Sequence, residues 1–388
     1  MSQTEKKAST PSAGSRLKRK TAADKAADAA TEEAKVADAA QDAEVTSSYF
    51  TSDKSNIDFI PSGSTTLDEV LGGGWAVGRI ANVVGDRSAG KTLVATEAAA
   101  NFHELWPDEP IYYLEAEAAF DAEYAAAMGM PVEAVTFVEM FDDEGNADNT
   151  VEFLFEHLQE LIKARTSGAA KFNKCLYVVD SLDALSDRAE KERDNNQGSY
   201  GMGKQKKMSE MFRRIVAELE KAGITLLVIS QIREKIGVTF GEKYTRSGGK
   251  ALDFYCSQIV WLAEIGKIKR TVRRQERVAG VKVKAKCKKN KVALPFRECE
   301  YSIEFGYGID NTTSCLEFLK SIDALGELKT IEVKKTAIAN AVKKIKRMDD
   351  EEHFKVMDEV TALVKKSWRE IDDSFLPERS KYGRKRLK

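Results

Sequence analysis

Arg79-Ile80-Ala81-Asn82-Val83-Val84 runs directly into Gly85-Asp86-Arg87-Ser88-Ala89-Gly90-Lys91-Thr92, and residues 93–103 continue with helical spacing. The apolar run is a strand, the glycine-bounded stretch a loop and the remainder a helix. A chance glycine turn is the alternative for the loop alone, and the flanking strand and helix argue against it. In that context Gly-x-x-x-x-Gly-Lys-Thr is a phosphate cradle, because its glycines let backbone N–H groups curl around phosphate oxygens at the positive end of a helix. Lys91 then reaches the β and γ phosphates and the Thr92 hydroxyl ligates a magnesium ion. ATP and Mg2+ are the expected cofactors, with Gly85, Asp86, Arg87, Ser88, Ala89, Gly90, Lys91 and Thr92 as contacts.

The alternation continues downstream as strand 111–114, helix 151–164, strand 176–179, helix 208–221 and strand 224–229. Within 208–221, Met208, Met211, Phe212, Ile215, Val216 and Leu219 line one helix face. Alternating elements of this kind predict an α/β fold with a mostly parallel central sheet flanked by helices. The runs 258–263, 281–286 and 299–305 have no helices between them and extend the sheet as hairpins or meanders. Beyond Asp310, residues 336–348 and 351–371 read as helices, the second with a stripe of Phe354, Met357, Val360, Leu363, Val364 and Trp368. The expected organisation is a disordered or partly helical tail (1–46), an ATPase core (47–310), a small helical C-terminal domain (311–375) and a basic tail (376–388).

Two further strands end in acids at the edge where ligands collect in open α/β sheets. Leu176-Tyr177-Val178-Val179-Asp180-Ser181 places Asp180 to hold the magnesium shell. A strand-end Asp alone is often only a turn or helix cap; the cradle upstream favours the metal role. In Leu114-Glu115-Ala116-Glu117, one of the two carboxylates is suited to orient an attacking water.

The 388 residues carry a formal net charge of −1, so affinity for nucleic acid must come from local patches. Five cysteines, Cys175, Cys256, Cys287, Cys299 and Cys315, form no CxxC pair, and His103, His157 and His353 are far apart. A disulfide framework or zinc site is not expected. No apolar run is long enough to span a bilayer, so the reading is a cytoplasmic protein with no membrane partner. Residues 1–44 are mostly Ala, Lys, Asp, Glu, Ser and Thr and cannot bury enough surface to fold alone. Their cluster Arg16-Leu17-Lys18-Arg19-Lys20 reads as a solvated tail, with contact to DNA or a partner as the alternative.

Read in order, these segments resemble the RecA recombinases, bacterial and viral, over roughly residues 60–310. The likeness rests on Pro61-Ser62-Gly63-Ser64-Thr65-Thr66-Leu67-Asp68, then Glu115-Ala116-Glu117-Ala118-Ala119-Phe120-Asp121-Ala122-Glu123-Tyr124, then Val179-Asp180-Ser181. It is most specific in Ile229-Ser230-Gln231-Ile232-Arg233-Glu234-Lys235-Ile236-Gly237-Val238-Thr239-Phe240-Gly241 and in Ser247-Gly248-Gly249-Lys250-Ala251-Leu252-Asp253-Phe254-Tyr255. Lys288-Lys289-Asn290-Lys291-Val292-Ala293-Leu294-Pro295-Phe296 completes it.

The resemblance implies a P-loop ATPase that forms helical filaments on single-stranded DNA and exchanges strands with double-stranded DNA; mediator proteins are possible further partners that the sequence does not identify. By it, Glu117 activates water, Asp121 and Tyr124 flank the adenine, and Gln231 senses the γ-phosphate and relays it into a DNA-binding loop at 233–249. Lys289 and Lys291 reach a neighbour's ATP in trans, where cations offset charge on the transferred phosphoryl group. Arg233, Ile236, Phe240 and Arg246 are then DNA contacts in that loop. A second loop at 194–207 brings Met202 between bases, with Lys206, Ser209 and Arg213 near phosphates. A flexible basic surface loop is the alternative for both segments.

Four features depart from the family pattern. Ser230 stands where Asn usually precedes the sensing Gln, and Asp253 where Lys is familiar before Phe254. The N-terminal region lacks an obvious packing helix, and the C-terminus is basic where bacterial members commonly end acidic, which fits a viral or divergent member. Two rival readings stay open: a ring-shaped helicase on the same fold, and an ATP-switched regulator of a protein partner.

Overall fold

The computed structural model describes residues 57–142, 144–191, 202–234, 244–246 and 249–377. The expected tail 1–46, the basic cluster 379–386, and Ile236 and Phe240 lie outside the described residues.

In chain order the elements are β1 (Phe59–Ile60), α1 (Thr65–Leu71), β2 (Trp75–Ala76), β3 (Ile80–Gly85), α2 (Lys91–Leu105), β4 (Ile111–Glu115), α3 (Ala122–Ala127) and β5 (Val135–Phe137). There follow α4 (Val151–Thr166), β6 (Cys175–Asp180), α5 (Arg188–Lys191), α6 (Met202–Ala222), β7 (Ile224–Glu234), β8 (Tyr244–Arg246) and α7 (Gly249–Tyr255). The last are β9 (Gln258–Val272), β10 (Gln275–Asn290), β11 (Glu298–Glu304), β12 (Gly308–Asp310), α8 (Asn311–Ser321), α9 (Ile338–Ile345) and α10 (Asp350–Phe375).

The main sheet runs β12-β11-β10-β9-β3-β7-β6-β4-β5, with β8 paired to β7. From β9 through β5 every pair is parallel, and β9 to β12 is an antiparallel meander. Successive side chains of a strand point to opposite faces, so each central strand feeds two cores. Val83, Val178 and Leu227 join Val94 and Phe102 of α2 on one face. Val84, Val179 and Val228 join Leu158 of α4 and Phe212 and Ile215 of α6 on the other. Burial on both faces is why these strands read as continuous apolar runs.

The C-terminal helices keep an apolar cluster of their own around Leu316, Leu319, Val342, Ile345, Val360 and Val364. Phe354, expected in the stripe of α10, is 65% exposed, and Val356 is buried instead. Trp368 packs against the main core, and the Arg297 guanidinium pairs with Asp372, tying α10 to the sheet.

Two elements are longer than the sequence pattern predicts. α6 begins at Met202, so residues 202–207 are helix and not loop. Lys204, Gln205, Lys206 and Lys207 are good helix formers, and the Lys204 ammonium donates to the carbonyls of Leu182, at 2.8 Å, and Leu185. β9 and β10 extend far beyond the sheet as a two-stranded ribbon, pairing as far as Val272 with Gln275. The five cysteines are buried and free.

Candidate nucleotide site and nucleic-acid surfaces

Register brings the strand ends together. Gly85 lies beside Gln231, Glu115 beside Asp180, and Val179 beside Val228, so the ends of β3, β7, β4 and β6 share one edge of the sheet. The loop after β3 turns at Gly90, whose φ is +81°, a conformation that costs a side chain dearly. A Cβ there would also stand 2.5 Å from Ile303 Cδ1, so that side chain would have to shift as well. α2 starts at Lys91, and its first-turn N–H groups have no intrahelical partners.

The Lys91 ammonium donates to the Asp86 carbonyl at 2.8 Å. Burial pushes its pKa down, while Asp180, Glu117, Asp86 and Asp183 pull it back up. Asp180 is 8% exposed and accepts from Tyr113 Oη at 3.0 Å. Burial raises its carboxyl above the usual range, opposed by hydrogen bonds from Thr92 and Tyr113. Thr92 and Asp180 thus present two oxygen donors side by side, suited to a hard cation that takes its remaining ligands from water and phosphate. Among the described residues no group of three or more His, Cys, Asp or Glu side chains is arranged to hold a metal.

The two acids after β4 separate cleanly. Glu115 accepts from the backbone N–H groups of Glu117, Ala118 and Ala119 at 3.0, 2.8 and 3.1 Å, and so holds the turn. Glu117 is exposed at the edge and accepts from Ser181 Oγ and, at 2.8 Å, from Gln231 Nε2. Its carboxylate is the one free to face a ligand. The Ser230 departure has a local partner, since the Asn82 amide donates to the Ser230 hydroxyl at 2.9 Å within the buried sheet.

A cavity of about 310 Å³ adjoins the loop, lined by Ser88, Gly90, Lys91, Thr92, Leu93, Tyr124, Val281, Ile303 and Phe305. Asp121 caps α3 by accepting from Tyr124 N at 2.9 Å, and the Tyr124 ring is 41% exposed beside the cradle. Phe305, 54% exposed, is a second aromatic in this cavity that the sequence reading did not single out. A larger cavity of about 510 Å³ opens between β10, β11 and the C-terminal helices. It contains none of the cradle residues, so size does not mark the nucleotide site.

Lys289 and Lys291 are not part of this cluster. Gly85 neighbours Leu262, which pairs with Ala285, whereas Lys289 pairs with Ile259 near the start of β9. Three residues of β9 separate these positions, roughly 10 Å, before the loop itself is counted. There the Lys289 ammonium donates to the carbonyls of Asp253 and, at 2.9 Å, Phe254, and Lys291 reaches Phe254 O at 3.5 Å. Burial and the Lys291 charge lower the Lys289 pKa. Phe254 itself is 76% exposed.

Of the expected DNA contacts, Met202, Lys206, Ser209 and Arg213 recur along α6 at spacings of four, three and four, one stripe of the helix. Lys206 and Arg213 are exposed, and Ser209 Oγ donates back to Gln205 O at 3.0 Å. Arg233 lies in β7. Arg246 differs from expectation: its side chain is 4% exposed and ion-paired with Asp253, so it does not face solvent. The sequence reading also passed over the β9–β10 ribbon, where Lys267, Lys269, Arg270, Arg273, Arg274 and Arg277 are all exposed.

A family model described as RecA N-terminal domain matches residues 43–310, more than half of the chain. The chain belongs to the RecA family. Protein RecA of Prochlorococcus marinus strain AS9601 is 36% identical over 261 residues, covering 67% of this chain and 65% of that one. Protein RecA of strain MIT 9515 is 37% identical over 262 residues, 67% of this chain and 64% of that one. The match therefore spans just under two thirds of these RecA relatives. The RecA fold of mixed α/β character with a mostly parallel central sheet is the one described above. Among the described residues no helix is long and apolar enough to cross a membrane.

Proposed function

We propose that this RecA-family chain is a DNA-dependent ATPase that assembles on single-stranded DNA and exchanges strands with a homologous duplex. One observation carries the reading. Glu117 is hydrogen-bonded to Gln231, and Gln231 is followed at once by the base of the hairpin that encloses 235–243. A group at the phosphate end and the β7–β8 ladder are thus joined by adjacent residues of one strand.

Within the site, the cradle N–H groups and Lys91 bind the phosphates, Tyr124 and Phe305 cover the base, and Glu117 orients water toward the terminal phosphate. Thr92 and Asp180 would hold magnesium, which would supply neutralising charge at the phosphates. Gln231 donates to Glu117, the carboxylate assigned to water, and so stands within reach of the terminal phosphate that Glu117 would face. Lys206, Arg213 and the ribbon cations give sequence-independent affinity for DNA phosphates, which weakens with salt. The test is phosphate release with and without mixed-sequence single-stranded DNA. Turnover should rise with DNA and saturate; a rate indifferent to DNA would refute the reading.

The distance of Lys289 and Lys291 from the cradle supports their acting on a neighbour's nucleotide, with exposed Phe254 beside them as an apolar contact. A Lys91→Ala chain mixed with a Lys289→Ala/Lys291→Ala chain then rebuilds complete sites at about a quarter of head-to-tail interfaces at equal ratio. ATP turnover should reappear on mixing two chains that are each inactive. Co-assembly without recovery at any ratio would leave the lysines a structural role at the end of α7.

A further inference from the structure

Arg246 sits one ladder pair from the nucleotide edge and one ion pair from α7. On the nucleotide edge, Gln231 donates its side-chain amide to Glu117 and its backbone N–H to Asp183 Oδ2 at 2.6 Å. The next residue, Ile232, pairs with Arg246 across the β7–β8 ladder. The Arg246 guanidinium turns inward, with Nη2 at 2.5 Å from Asp253 Oδ1 and no partner for Nη1 among the described residues. Asp253 lies in the last turn of α7, and the carbonyls of Asp253 and Phe254 hold the ammonium of Lys289, with Lys291 also on Phe254. Each step is a direct contact or a ladder pair, and the two ends are groups assigned above to two different nucleotides.

A guanidinium this buried with one carboxylate partner favours two arrangements over a continuum. Paired, it fixes β8 against α7; unpaired, it leaves an uncompensated charge that must move toward water. We infer that Arg246 is a positioning residue and not a DNA ligand: its ion pair with Asp253 transmits the position of the hairpin base after Gln231 to α7, and so to Lys289 and Lys291 at the opposite edge. The inference rests on the proposed function, because it presumes DNA-stimulated turnover at shared sites. Asp253 is the better place to test it, since its side chain is 64% exposed and can be changed without opening the core.

The experiment compares the wild-type chain, Asp253→Asn, Asp253→Glu and the reciprocal Arg246→Asp/Asp253→Arg variant, each checked for native circular dichroism. ATP turnover is measured against single-stranded DNA concentration, and DNA affinity across a salt series. Asp253→Asn should keep its DNA-free turnover and its DNA affinity while maximal stimulation falls about tenfold, the size of coupling that one contact carries. Asp253→Glu should retain most of the stimulation, and the reciprocal variant should recover part of what Asp253→Asn loses. A merely structural pair would lower stability without separating stimulation from binding.

Full stimulation in Asp253→Asn would overturn the relay. So would tighter DNA binding with a salt slope steeper by about one, because the freed guanidinium would then be neutralising a phosphate. Failure of the wild-type chain to respond to DNA at all would remove the functional reading and the relay with it, a result read from the wild type alone.

Discussion

Lys91→Ala is expected to stop ATP turnover and leave the fold intact. The ammonium makes one hydrogen bond, to the Asp86 carbonyl, and burial already works against its charge. Removing it therefore takes little from the folded state. The carboxylates of Asp180 and Glu117 are left without the nearby cation that offsets them, and the phosphates would be brought against them with less positive charge in place. Loss of one preorganised charge at a developing anion costs about 10²–10³ in rate, and here ground-state binding falls as well. Single-turnover phosphate release and a thermal melt, measured together, check both halves. Near-wild-type turnover in the folded variant would remove Lys91 from the chemistry.

Glu117→Gln should divide chemistry from binding. The amide keeps the size of the carboxylate and can still accept from Ser181 or Gln231, so the edge stays assembled. It cannot take a proton from water, and loss of a positioned base costs about 10²–10⁴ in rate. ATP should bind normally and DNA complexes should outlast those of the wild type. Glu115→Gln should behave differently. Its carboxylate satisfies three backbone N–H groups, and an amide in its place leaves at least one without an acceptor. An unsatisfied donor costs about 1–3 kcal/mol, so a lower melting temperature with much of the rate retained is the expected signature. The reverse pattern, a stable but inert Glu115→Gln and an active Glu117→Gln, would reassign the base.

The sequence carried the parallel core and the nucleotide edge because both are written in local signals. β3, β4, β6 and β7 are buried on two faces and so read as apolar runs, and the glycine loop needs Gly90 for a positive-φ turn that a side chain adopts only under strain. What it did not carry depends on contacts distant in the chain. Arg246 reads as a loop cation until Asp253 of α7 is seen beside it. Phe305 joins Tyr124 only because β11 lies over the cradle, and nothing in its neighbours marks it. The β9–β10 ribbon is exposed on both faces, so it has no apolar alternation to betray two long strands. Its density of Lys and Arg between 267 and 277 was the available signal. The α6 start was misplaced because polar, lysine-rich sequence reads as loop, while Lys204 is fixed by carbonyls some twenty residues upstream.

The proposed use of ATP to pair and exchange DNA strands is read out by joint-molecule formation. Labelled single-stranded DNA is incubated with the protein, ATP and Mg2+, then with a duplex that is either homologous or unrelated. Exchanged product is expected from the homologous duplex alone, dependent on ATP binding and absent with Lys91→Ala. Strand separation that ignores homology, or no joint molecules under conditions where DNA stimulates ATP turnover, would contradict it.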